Sequence, residues 1–159
     1  MGDIGLIGRH DHTIDATGRL SIPSKFRDYL TLYSEGRVVM ATSHVDSCIT
    51  AYTLSEWDVI TKRFAQKIES SSADAEGFLE MKDFLRLFYA GAVDCSLDKQ
   101  GRILLPAHLR AHAVLDKETV LIGCVKSIEI WDVVKWQQKE SAVLQDPGHL
   151  QKAMIGLGI

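Results

Sequence analysis

The sequence predicts an α+β fold: two tandem, pseudo-twofold halves built of short strands, with helices between them and after them. Three observations carry this expectation. The stretch Asp15-Ala-Thr-Gly18-Arg19-Leu-Ser-Ile-Pro23 matches Asp98-Lys-Gln-Gly101-Arg102-Ile-Leu-Leu-Pro106 at an offset of 83 residues. The match resumes at an offset of 79, where Ile49, Tyr52 and Trp57 fall on Ile128, Trp131 and Trp136, so the intervening loop is four residues longer in the first copy. After each copy the apolar pattern changes from short β-branched runs to helical spacing. A repeat of roughly 45–50 residues is too short to bury an adequate core alone, so the copies are expected to pack on each other.

The elements follow in order. Residues 7–54 read as the first repeat, 55–90 as a helical insert, 91–131 as the second repeat, 132–145 as a C-terminal helix and 146–159 as a loosely held tail. Each repeat runs strand, turn, strand, short helix, strand, strand. In the Asp-x-x-Gly-Arg turn, Asp accepts backbone N–H bonds and Gly supplies the positive φ that closes it. Pro23 and Pro106 end the strand that leaves the turn and suit the first turn of a helix, over 24–30 and 107–113. Strands are expected at 37–42 and 119–123, then at 49–52 and 128–131. Ser55 with Asp58 reads as a capping box opening a helix through Trp57, Ile60, Phe64 and Ile68 to Glu69. Ser70-Ser-Ser breaks it. A second helix over 74–90 presents Phe78, Met81, Leu85 and Phe88, widened by Phe84 and Leu87. Asp132 opens the last helix, with Val133, Trp136 and Leu144, and Asp146-Pro-Gly reads as its stop.

The chain of 159 residues is 46% apolar and 25% charged, which excludes a disordered or low-complexity protein. No apolar run approaches the ~18 residues of a membrane span, and the first residues lack a signal-peptide pattern, so a cytoplasmic protein is expected. Cys48, Cys95 and Cys124 lie far apart and read as reduced thiols. The net charge of −3 argues against a protein that coats nucleic acid indiscriminately. Two windows run the other way. Arg9, Arg19, Lys25 and Arg27 outnumber Asp11 and Asp15, while Lys99, Arg102 and Arg110 outnumber Asp98. Acidic residues concentrate instead at Glu69, Asp74, Glu76, Glu80 and Asp83.

Enzymatic readings fit poorly. Two aspartates near glycines suggest an aspartic-protease dyad, but Gly stands three residues after Asp and Arg follows at once, which favours ionised carboxylates. His10 and His12 alternate onto one strand face without further ligands at recognisable spacing, and read as a solvent-facing edge. Nucleophile-elbow, P-loop and dinucleotide motifs are missing from the sequence. No catalytic residue, cofactor, metal or small-molecule substrate is therefore expected. The arginines remain. Arg19 and Arg102 leave equivalent turns and either pair with their own Asp15 and Asp98 or meet DNA, where guanidinium suits guanine edges and phosphates. On the second reading Asp15 and Asp98 orient them, and Arg9, Lys25, Arg27, Lys99 and Arg110 flank them as phosphate contacts.

These two Asp-x-x-x-Arg units, the Gly-Arg-x-x-x-Pro continuation of each, Trp57 and the segment from Arg86 to Pro106 resemble the MraZ family, within the AbrB-like swapped-hairpin superfamily. The resemblance spans roughly residues 6–140. It implies two swapped-hairpin β-barrel halves in one subunit, ring-like homo-oligomers, and a nucleoid-associated repressor binding short direct repeats in promoter double-stranded DNA ahead of the division and cell-wall genes. It places the DNA contacts at Asp15 to Arg19 and Asp98 to Arg102. The alternative class is an AbrB-like antitoxin or protein-interaction module. Where the family commonly has Lys before the first Gly-Arg this chain has Thr17. Where a basic residue precedes the N-terminal Gly it has Ile7, with Arg9 just beyond Gly8.

Overall fold

The structure, a computed structural model, describes residues 3–159. The first half contains β1 (Leu6–Thr13), β2 (Arg19–Ser21), α1 (Ser24–Tyr33), β3 (Arg37–Thr42) and β4 (Cys48–Tyr52). The helices α2 (Leu54–Glu69) and α3 (Ala75–Gly91) follow. The second half repeats the order as β5 (Val93–Ser96), β6 (Arg102–Leu104), α4 (Ala107–His112), β7 (Glu118–Val125) and β8 (Ser127–Asp132), and α5 (Val133–Leu144) and α6 (Pro147–Leu157) close the chain.

The halves exchange their first strands. β1 pairs antiparallel with β7 and β5 with β3, while β4 and β8 meet at the centre, giving one sheet in the order β1-β7-β8-β4-β3-β5. β2 and β6 pair in a separate two-stranded ribbon. The large sheet is open, with β1 and β5 as its edges, and does not close into the barrel the resemblance implies.

Period-two alternation splits the core between the two faces of the sheet. The inner face carries the main cluster, in which Ile49, Ile130 and Leu121 stand side by side across β4, β8 and β7. Leu20 and Ile103 from the ribbon, Phe26 and Leu30 from α1, and Leu109 from α4 close over them. On the outer face, α2 and α3 cover β3 and β4 through Ile60 and Phe88 against Ala41, with Trp57 stacked on Phe88 at 5.5 Å. The repeat equivalent is α5, whose Trp136 meets Trp131 edge-on at 5.4 Å over β7 and β8. Ribbon and acidic helical hairpin therefore occupy opposite sides of the sheet.

Several local expectations change. The cap of α2 is Thr53, whose hydroxyl accepts from the Glu56 N–H, rather than Ser55; Thr53 is also held by the Lys126 carbonyl across the halves. α5 does end just before Asp146, as expected, but Asp146 also starts a further helix. Its carboxylate accepts from the His149 N–H with Pro147 in the first turn, so the segment read as a loose tail forms α6. Leu87 and Leu144, counted into apolar faces, are exposed. His10 and His12 are half-buried; His10 lies edge-on to Phe26 at 4.9 Å, so their strand face turns toward α1 and not to solvent.

Ile130 is fully buried at the join of the two halves. Ile130→Ala is expected to lower unfolding stability by about 2–5 kcal/mol, read as a lower midpoint in urea denaturation with a similar slope.

Candidate nucleic-acid interface

The two Asp-x-x-Gly-Arg turns share one backbone design. In the first, the Gly18 N–H donates to the Asp15 carbonyl at 3.0 Å and the Asp15 N–H to the Arg19 carbonyl at 2.9 Å. In the second, Gly101 and Asp98 repeat these bonds at 3.0 and 2.8 Å. One carboxylate oxygen of each Asp accepts from the backbone N–H groups two and four residues on: Thr17 and Arg19 at 2.9 and 3.0 Å, Gln100 and Arg102 at 2.9 and 2.9 Å. Gly18 and Gly101, at φ +85 and +75, supply the left-handed step that closes each turn.

The ribbon brings the turns together. Leu20 opposes Ile103, and both point into the core. Arg19, opposite Leu104, and Arg102, opposite Ser21, alternate onto the outer face at its diagonal corners. Diagonal neighbours of this kind stand about 7–8 Å apart. The two arginines are not equivalent, however. Arg102 donates through Nε to Asp98 at 2.9 Å and reaches Asp15 of the other half through Nη1 at 3.4 Å. Arg19 donates instead to the Thr17 hydroxyl at 2.9 Å, and that hydroxyl is bonded to Asp15 at 2.6 Å. The local ion pair therefore forms in the second half, while in the first a threonine stands between acid and base.

The flanking cations divide. Lys25 and Lys99 are exposed beside the ribbon. Lys25, His10, His12, Ser21, Ser24, Arg27 and Gln100 border a groove of about 550 Å³ running from the ribbon to β1. The histidines, Ser24 and Gln100 were not anticipated there; the sequence signal was the alternation that puts His10 and His12 on the face of buried Leu6. Arg27 and Arg110 lie over the turns, with the Arg110 Nε donating to the Leu105 carbonyl at 3.0 Å. Arg9 is not gathered with the rest. It alternates away from His10 and His12 and pairs with Asp11 at 3.1 Å and with Glu140 of α5 at 4.0 Å.

Against known proteins, the family model described as "MraZ protein, putative antitoxin-like" matches residues 6–81 and 88–153, one stretch for each half. The chain belongs to the MraZ family. A relative from Caldicellulosiruptor saccharolyticus, named transcriptional regulator MraZ, is 39% identical over 97% of this chain and 99% of its own length. Relatives of the same name from Alkaliphilus oremlandii and Thermoanaerobacter sp. strain X514 are 37% and 41% identical, over 96% and 84% of this chain and 99% and 85% of theirs.

The electrostatics of this MraZ chain run against a shared-proton dyad. Hydrogen bonding, first from the Thr17 hydroxyl and then from the Arg19 N–H, holds Asp15 down at about 2. Asp98 is lowered too, chiefly by the Arg102 N–H. The Arg102 guanidinium bonds to both carboxylates, so the pair is ionised and bridged by a cation. The thiols are likewise unactivated: burial pushes Cys48 up to about 12 and raises Cys95 and Cys124. Among the described residues, no cluster of three or more His, Cys, Asp or Glu gathers as for a metal ion, and no helix is long and apolar enough to cross a membrane.

Because folding lowers the Asp15 value, its stabilisation of the turn is present above the ordinary carboxylate range and is lost as pH falls toward about 2. Thr17→Val removes the largest cause. A carbon-detected titration of the Asp15 carboxyl is expected to show its midpoint moving up toward the ordinary range; an unmoved midpoint would show that the backbone bonds alone set it.

Proposed function

We propose that this MraZ protein is a non-enzymatic, DNA-binding transcriptional regulator, a cytoplasmic and nucleoid-associated repressor that reads short direct repeats as a ring-like homo-oligomer. The observation that carries the reading is the convergence of both Asp-x-x-Gly-Arg turns on one outer face of the β2–β6 ribbon. The names of the relatives support regulation of transcription, and kinship with swapped-hairpin regulators draws support from the reciprocal pairing of β1 with β7 and β5 with β3. Division and cell-wall genes are the targets the family resemblance suggests.

A two-stranded ribbon is narrow enough to enter a B-DNA major groove about 12 Å wide. In this reading Arg19 and Arg102 meet base edges or phosphates, Asp15 and Asp98 aim them, and Lys25 and Lys99 add phosphate contacts that fix position. The net charge of −3 is no obstacle. The acidic residues from Glu69 to Asp83 belong to the α2–α3 hairpin, across the sheet from the ribbon. One subunit makes few contacts, so repeated sites and several subunits are needed, which multiplies binding by about 10²–10⁴ without new contact types. The antitoxin-like alternative finds support in the family description and in Ile155, Leu157 and Ile159, apolar and exposed at the end of the chain.

Among the described residues Arg19 has no carboxylate partner, whereas Arg102 has two. Arg19→Ala is expected to weaken binding to a duplex from the region upstream of the gene by about 1–3 kcal/mol. Arg19→Ala with Arg102→Ala abolishes it while light scattering shows an unchanged assembly; undiminished gel-shift binding by the double variant defeats the reading. With the unmutated protein, log affinity is expected to fall linearly with log salt, with a slope of about 0.9 per phosphate contacted. A flat response would point to a partner other than nucleic acid.

A further inference from the structure

Arg27 and Arg110 occupy equivalent places in the repeat, one turn into α1 and α4, yet each serves the turn of the other half. A Cβ placed on Gly18 would meet Cζ and Nη2 of Arg110 at 3.3 Å, and one placed on Gly101 would run into Cδ and Nη1 of Arg27. Both glycines are buried. The backbone crosses in the same sense. The Leu105 N–H donates to the Gly18 carbonyl at 2.9 Å and the Ile22 N–H to the Gly101 carbonyl at 3.0 Å. Arg110 is pinned by its bond to the Leu105 carbonyl, the residue whose N–H holds Gly18. Among the described residues the buried Arg27 Nε has no hydrogen-bond partner.

We propose that Arg27 and Arg110 are positioning residues: each lays its flat guanidinium over the turn glycine of the opposite half, and thereby sets the aim of Arg102 and Arg19 instead of contacting phosphate itself. The proposal rests on the DNA-binding reading for its consequence, though the packing does not. Both turns need glycine for the left-handed φ, and at Gly101 a side chain would also run into Arg27. Positioning of this kind makes the side chain's shape more important than its charge. A lysine would keep the charge but present a rounded ammonium on a flexible stem, not a plane.

The test uses the full chain, the same upstream duplex, and the variants Arg27→Lys, Arg27→Met, Arg110→Lys and Arg110→Met. In the free protein, hydrogen–deuterium exchange is expected to rise crosswise: at residues 15–19 in both Arg110 variants, and at 98–102 in both Arg27 variants. Duplex affinity falls about tenfold in all four, while the slope of log affinity against log salt keeps its unmutated value. Exchange that rises only in the variant's own half, or in neither turn, overturns the proposal. So does a slope smaller by about 0.9 in the Met variants together with restored binding in the Lys variants, the signature of a phosphate contact. If the unmutated protein binds no duplex, the DNA-binding reading fails on its own, and the exchange pattern still decides the positioning role.

Discussion

The exchange of first strands between the halves is the constraint on which the rest of the molecule depends. β1 has its ladder partner in β7 and β5 in β3, so neither half completes its share of the sheet without the other. The ribbon repeats the arrangement with β2 and β6. The main apolar cluster accordingly draws on both halves at once: Leu20, Ile49 and Phe26 from the first, Ile103, Ile130 and Leu121 from the second. A unit of this size gains too little burial alone, and the covalent link between the halves removes the concentration dependence that two separate chains would face.

That constraint also produces the charged face. Because β2 and β6 run antiparallel with Leu20 opposite Ile103, the arginines at their starts emerge at opposite corners of one surface. The acids that precede them anchor the turns; the Thr17 hydroxyl does most to lower Asp15 and the Arg102 N–H most to lower Asp98, which keeps both anionic beside the cations. The remaining acidic surplus sits on helices across the sheet, so a chain of net charge −3 presents a locally basic ribbon.

Much of this was legible in the residues. The strand over 37–42 agrees residue for residue, and the other strands and helices given bounds from the sequence agree to within a few positions, because β-branched runs, Gly turns and Pro stops mark them strongly. The four-residue surplus of the first copy is divided between the segment before β3 and the loop between β3 and β4, since Met40 faces Val93 as Leu121 faces His10, and Thr42 pairs with Ile49 as Gly123 pairs with Ile128. Asp146-Pro147 marks the end of α5, but the same two residues also serve as the N-cap and first-turn proline of α6, and a stop signal alone does not show that a new helix begins. The arginine partners were not legible at all. Asp15–Arg19 and Asp98–Arg102 have identical spacing but different pairing, since Thr17 offers a hydroxyl where Gln100 leaves its Asp to the arginine. The placement of Arg27 and Arg110 over distant glycines follows from the strand exchange, which no local window of sequence contains.

The threonine at position 17 and the glutamine at position 100 give the ribbon a heading. Two identical chains related by a true dyad would present the same corner twice, and a half-turn would leave the surface unchanged. Here a half-turn exchanges a hydroxyl-tethered guanidinium for one gripped by two acids. The ribbon therefore has a front and a back, so a partner lying across it meets different chemistry according to which way round it arrives.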